Sequence, residues 1–177
     1  MSLTNDFGTR NLYYFGHGSA ERFGYSHDTN QQINLGDLNR ILKNAPDPLK
    51  GTNGHPYRFV FLDGCKTANG GLAPAFGIPK GNVSATEFST KRGLRLRAFL
   101  GWDKNCTVGW AAFDQQHNTF IGSFFDKWAH ATDEAGLPLG AQGAINAANP
   151  LLWNQKPHLV IHGCPDLPWM DDDLVPP

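Results

Sequence analysis

Two apolar runs in this chain each end on a residue that can do chemistry. "LYYFGHGSA" carries His17 behind an aromatic stretch, and "FVFLDGC" carries Cys65 behind Phe59-Val60-Phe61-Leu62. A thiol becomes a strong nucleophile only as the thiolate. A neighbouring imidazole can take its proton and later return it to a leaving group. Gly18 follows the histidine and Gly64 precedes the cysteine. Glycine lets the backbone approach a substrate carbonyl without an intervening Cβ. The N–H groups of Gly18 and Cys65 are therefore the natural donors to a tetrahedral oxyanion. The plain alternative is a small apolar residue at a strand end and a histidine in a Gly-His-Gly turn.

Asp63 stands two residues before Cys65, on the same face of an extended strand. It can line a pocket beside the thiol and pair with a cationic substrate group, or cap the turn that follows. Asp103 is a second acid beyond a later apolar run. Trp102 beside it is either a pocket wall or a core residue.

The elements that must hold these residues follow from periodicity. Residues 11–20 are short, aromatic and stopped by glycine, which predicts a buried strand. Residues 21–34 are polar and read as loop. In "NLGDLNRILKN" (34–44) Leu35, Leu38, Ile41 and Leu42 share one helical face, Asn34 can cap the start, and Pro46 and Pro48 stop it. Residues 57–65 form the next buried strand. Strand, helix, strand is a βαβ unit with parallel strands and a right-handed crossover, so His17 and Cys65 are expected at the same edge of one sheet. Further along, a short helix is expected after Cys65, a long flexible loop over 77–93, strands over 94–102 and 158–164, and helices over 115–135 and 139–149. Alternation of strands and helices predicts an α/β layered domain, with functional groups beyond the carboxyl ends of the parallel strands. Lys91 and Arg92 at the end of the expected loop are open to proteolytic processing.

The length of 177 residues suits one domain with a substantial core. A net charge of −1 points to neither nucleic acid nor an anionic membrane surface, and no apolar run reaches the roughly 20 residues of a spanning helix. The N-terminus lacks the basic and apolar regions of a signal peptide. Three cysteines with no close pair in sequence (Cys65, Cys106, Cys164) make a poor disulfide framework, which favours a reducing, cytoplasmic setting. The short His and Cys spacings of zinc sites are absent, and no cofactor is expected. His27, His55, His117, His130 and His158 suggest no partner, and His162 and Cys164 read as structural. There is no GxSxG elbow, Walker A loop or complete GxGxxG.

"LYYFGHGSA" and "FVFLDGCKTANGGLAPAF" together resemble the histidine and cysteine strands of caspase-like cysteine peptidases. The 48 residues from His17 to Cys65 are similar to the caspase interval of about 50. The caspase pentapeptide around the cysteine is absent. "RAFLGWD" and "HLVIHGCPDL" are closer to gingipain-like, clostripain-like and CHAT domains. The resemblance spans about residues 11–168. It implies a three-layer sandwich, with a mostly parallel sheet, helices on both faces and the first two family strands missing. It also implies a Cys65–His17 dyad hydrolysing peptide bonds, with Asp63 favouring Arg or Lys before the scissile bond. The expected organisation is one domain over 1–168, which could be a piece of a longer protein, and a disordered acidic, Pro-rich tail over 169–177. The expected partners are a peptide or protein substrate and a chain or domain that covers the histidine-strand edge. A catalytically silent interaction module is the alternative.

Overall fold

The computed structural model describes residues 11–26, 28–44, 46–47, 52–53, 56–91, 96–106, 111–148 and 158–169. The elements in chain order are β1 (Asn11–Phe15), β2 (His17–Gly18), β3 (Arg22–Gly24), a 3₁₀ turn (Thr29–Gln31), β4 (Gln32–Asn34) and α1 (Leu35–Lys43). A two-residue pair follows, β5 (Pro46–Asp47) and β6 (Thr52–Asn53), then β7 (Phe59–Asp63), α2 (Leu72–Ala75) and α3 (Ala85–Lys91). The chain continues with β8 (Ala98–Trp102), α4 (Ala111–His130), α5 (Ala141–Ala147) and β9 (Leu159–Gly163).

The main sheet has the order β1-β7-β8-β9. The β1–β7 and β7–β8 pairs are parallel and the β8–β9 pair is antiparallel, so the α/β sheet is mostly parallel. Side-chain parity divides the core. Phe59, Phe61, Ala98, Leu100, Trp102 and Ile161 pack on α4 and α5 through Phe120, Phe124, Trp128, Ala141 and Ile145. Val60, Leu62 and Phe99 point the other way, onto Leu38 and Leu42 of α1 and Leu72, Ala73 and Ala75 of α2. Helices therefore cover both faces. β7 and β8 are buried along their whole length, as continuous apolar runs in a two-sided sheet should be.

Three expectations change. β1 is not buried: it lies at the sheet edge, and Tyr13 and Phe15 are 41% and 50% exposed. The polar stretch 21–34 is not plain loop, because β2, β3 and β4 pair antiparallel as a small second sheet that begins at His17. Residues 77–93 are not one long loop either. Ser84-Ala85-Thr86-Glu87 has the Ser-x-x-Glu spacing of a helix start, the Ser84 hydroxyl accepts from the Glu87 N–H at 3.2 Å, and α3 follows. Val83 and Phe88 bury against Cys164. Lys91 thus sits in the last turn of a helix, where the extended backbone that a protease needs is not offered, and Arg92 lies outside the described residues.

α1 is the crossover between β1 and β7. The Asn34 side chain caps it, accepting from the Asp37 N–H at 3.0 Å. Asn34→Ala is expected to cost about 1 kcal/mol, read as a fall in Tm of about 2–4 °C. At the far end of the chain, Arg58 donates to the carbonyls of Trp169 and Pro168. Trp169, which was assigned to the tail, packs edge-on against Trp128 with ring centroids 5.0 Å apart. Residues 170–177 lie outside the described residues.

Candidate active site

The register of β1 on β7 runs from Asn11 opposite Phe59 to Phe15 opposite Asp63. The two strands end level with each other, and the chain continues as Gly16-His17-Gly18 on one side and Gly64-Cys65 on the other. These segments touch. A Cβ built on Gly64 would lie 2.9 Å from the Gly16 carbonyl oxygen and 3.1 Å from the Gly18 nitrogen. One built on Gly18 would lie 3.2 Å from the Cys65 carbonyl oxygen and 2.6 Å from the Thr67 methyl. The glycines beside the histidine and the cysteine are thus needed for backbone contact between the two strand ends. His17 is half-buried in β2, opposite Gly24 of β3.

The turn after Cys65 is held tightly. Lys66 has φ of 59°, the one positive value at a non-glycine among the described residues. Such a conformation is costly and persists only where its surroundings enforce it. Here the Lys66 N–H donates to the Lys104 carbonyl at 3.0 Å and the Ala68 N–H to the Trp102 carbonyl at 3.0 Å. The Thr67 hydroxyl, 2.7 Å from the Leu62 carbonyl and 2.9 Å from that of Gly64, ties the turn back to β7. The N–H groups of Gly64, Lys66, Thr67 and Ala68 all have backbone acceptors, whereas that of Cys65 has none among the described residues. Its N–H favours the thiolate of its own side chain, a role compatible with donating to a developing oxyanion.

The nearest partner of the thiol was not legible in the sequence. Cys106 follows β8, and its sulfur lies 3.3 Å from that of Cys65. Two cysteines with no close pairing in sequence form a close pair in space. The hydrogen bond with Cys106 is the main cause that lowers the Cys65 thiol to about 6, with smaller help from backbone groups and Lys66 and against the opposing effect of burial. The hydrogen bond with Cys65 first, and burial second, push Cys106 well above the ordinary thiol range. The contact thus favours the thiolate on Cys65 over the thiolate on Cys106. Because only the thiolate is alkylated, the rate of Cys65 carbamidomethylation should rise through about pH 6 and level off above it. In Cys106→Ala the inflection should move upward, towards the ordinary value of 9.0. A wild-type inflection already near 9.0 would contradict the pairing.

Asp63 lies on the α4 side of β7, the face that also carries Phe61, and it is fully buried. Its Oδ1 accepts from the Trp102 indole N–H at 2.7 Å. Its Oδ2 accepts from the Tyr13 hydroxyl at 2.8 Å and lies 2.7 Å from His117 Nε2. Burial first, then the charge of Asp63 and the hydrogen bond to it, push the Tyr13 phenol far upward. His117, for which the sequence suggested no partner, thus belongs to Asp63, and its Nδ1 is buried without a hydrogen-bond partner among the described residues. Trp102 is 1% exposed and serves the core and Asp63. Asp103 is more open, with a side chain 38% exposed and His158 Nδ1 at 3.0 Å. The Asn69 amide donates to the Asp103 carbonyl at 2.7 Å, which ties the segment after β8 to the Cys65 turn.

His162 lies towards the far edge, because β9 runs antiparallel and Gly163 pairs with Ala98. Its Nδ1 accepts from the Gly81 N–H at 3.1 Å and its Nε2 faces the Ala68 carbonyl at 2.8 Å, a satisfied structural role. His130 lies 3.3 Å from Asp126 one turn earlier. His27 and His55 lie outside the described residues. Among the described residues no group of three His, Cys, Asp or Glu side chains is placed to hold a metal ion, and no helix is long and apolar enough to cross a membrane. An apolar groove of about 420 Å³ runs beside β1, lined by Leu12, Tyr14, Phe23, Tyr25 and Ile33 among others. It lies along the histidine strand, away from the cysteine turn. Compared with protein-family models, with curated proteins and with solved structures, the chain gives no match.

Proposed function

We propose that this protein is a cysteine endopeptidase with a caspase-like arrangement, in which Cys65 attacks the scissile carbonyl and His17 handles the proton. The observation that carries the reading is the parallel, level pairing of β1 and β7, which is what a dyad split between two strand ends requires. The lowered Cys65 thiol and the constrained Lys66 turn support it, because reactive cysteines need an environment that favours the thiolate and a backbone fixed around it. Gly18 and Cys65 supply the oxyanion donors. The three-layer order of helices, sheet and helices is compatible with the caspase-like fold. On this reading a strand from a partner chain or another domain covers the β1 edge, where Tyr13 and Phe15 are exposed and the apolar groove lies.

For specificity we propose a basic side chain, Arg or Lys, before the scissile bond. One acid supports this. Asp63 is fully buried and both its oxygens are engaged, so it does not line a pocket open to a substrate cation. Asp103 is partly exposed and shares its carboxylate with His158, so it is the acid that a substrate cation reaches. A charge-assisted hydrogen bond is worth about 1.5–3 kcal/mol. Asp103→Asn should therefore lower kcat/KM for basic substrates by about 10- to 150-fold, with a smaller effect on neutral ones. The test is a fluorogenic peptide library varied at the residue before the cleaved bond, incubated with reduced protein. Preferential release after Arg and Lys supports the reading, and equal cleavage after Asp and Arg would sink it.

A further inference from the structure

We propose that Cys65 and Cys106 are a built oxidation site, in which a hydroperoxide converts the two thiols into a reversible intrachain disulfide. The crosslink rests on the two sulfurs alone. Only its consequence for turnover rests on the hydrolase reading above.

The placement is a product of the fold. Cys65 follows β7 and Cys106 follows β8, and these strands are parallel neighbours with Leu62 opposite Gly101. Both exit segments leave the same edge of the sheet. They are tied together by the bonds from the Lys66 N–H to Lys104 and from the Asn69 amide to Asp103. The sulfurs stand 3.3 Å apart, and a disulfide needs about 2.05 Å, so closure takes roughly 1.3 Å, within reach of side-chain rotation and a small loop shift. Both cysteines are free. Their exposures differ in the way such a pair requires: Cys65 is partly open, while Cys106 is 8% exposed. An oxidant in solution meets Cys65 first and Cys106 waits beneath it.

The chemistry proceeds in two steps. The Cys65 thiolate attacks one oxygen of the hydroperoxide. The S–O bond forms, the O–O bond breaks, and the leaving alkoxide or hydroxide takes a proton from solvent. Cys65 is then a sulfenic acid. The Cys106 sulfur attacks that sulfur. The S–S bond forms, the S–O bond breaks, and the departing hydroxide leaves as water with the Cys106 proton. Overall, two thiols and one hydroperoxide give one disulfide, one alcohol (water when the oxidant is hydrogen peroxide) and one water. Without Cys106, the sulfenic acid would be open to further, irreversible oxidation. The pair thus protects the Cys65 sulfur while making it unable to act as a nucleophile, and a dithiol restores both.

The test treats native protein with hydrogen peroxide, blocks the remaining thiols, and maps peptides without reduction. The expected product joins the peptides carrying Cys65 and Cys106 within one chain. The free-thiol count falls from three to one, with Cys164 remaining, and dithiothreitol restores it. In Cys106→Ser, the same treatment should drive Cys65 to the sulfinic acid. In Cys65→Ser, Cys106 should stay reduced. The proposal is overturned if wild-type Cys65 reaches the sulfinic acid while Cys106 remains alkylatable, or if the crosslink runs between chains or to Cys164. The wild-type map decides this even where a variant folds poorly. Reduced protein that never cleaves peptide defeats the hydrolase reading and leaves the crosslink standing. Protein whose Cys65-dependent cleavage is untouched by peroxide, with no crosslink, defeats the oxidation site alone.

Discussion

Cys65→Ala is expected to bring peptide hydrolysis down to background while leaving the circular dichroism spectrum and Tm close to those of the parent. The side chain is partly exposed at a strand exit, and the turn around it is held by backbone bonds and the Thr67 hydroxyl, none of which uses the sulfur. His17→Ala should lower kcat by about 10²–10⁴, the usual range for removing a positioned acid–base group. It should do so at every pH at which the parent is active. A Cys65→Ala protein that cleaves at the parental rate would remove the nucleophile assignment. A His17→Ala protein that does so would move the proton transfer to another group.

The second large effect concerns stability. Asp63→Ala should cost about 3–5 kcal/mol, the range for removing one partner of a buried charged contact. Three groups lose their acceptor at once: the Trp102 indole, the Tyr13 hydroxyl and His117 Nε2. The Trp102 indole and His117 cannot turn to water, because both are buried with Asp63. At about 2–4 °C per kcal/mol for a chain of this size, Tm should fall by about 6–20 °C. Asp63→Asn keeps the volume and one acceptor oxygen and so should fall less, but it should still fall, since its amide cannot accept where Oδ2 did. An unchanged Tm in Asp63→Ala would mean that the network does not form. For the same reason, a change of substrate preference in any Asp63 variant bears on specificity only where the variant remains folded at the assay temperature.

The strands were legible where their residues are buried on both faces. Phe59–Asp63, Ala98–Trp102 and Leu159–Gly163 read as apolar runs because the sheet buries both faces along most of their length. The α1 helix was legible from its apolar face and its Asn34 cap. The second sheet was not: Arg22-Phe23-Gly24 and Gln32-Ile33-Asn34 offer one apolar side chain each, and what fixes them is pairing with each other and with His17 and Gly18. The α3 helix was hidden by the glycines and prolines just before it, which made the whole of 77–93 read as loop.

In the candidate site, the sequence placed His17, Gly18, Asp63 and Cys65 at two strand ends, since each is set by an element's own boundary. It could not place Cys106 or His117. Cys106 reaches Cys65 only because β8 is the neighbour of β7, and His117 reaches Asp63 only because α4 covers that face. Such partners arise from the order of strands and layers, and no local spacing encodes them. The exposed β1 edge has the same origin, because an aromatic run reads alike whether one or both sides of the strand are paired.

The most direct measurement is trapping by mechanism. Reduced protein is treated with a peptidyl acyloxymethyl ketone ending in Arg, whose ketone mimics the scissile carbonyl and whose carboxylate leaves as a thioether forms. The account predicts stoichiometric labelling at Cys65, none at Cys106 or Cys164, no label in Cys65→Ala and much slower labelling in His17→Ala. Labelling no faster than that of free cysteine, or labelling first at Cys106 or Cys164, would contradict the claim that Cys65 is the nucleophile of an active site.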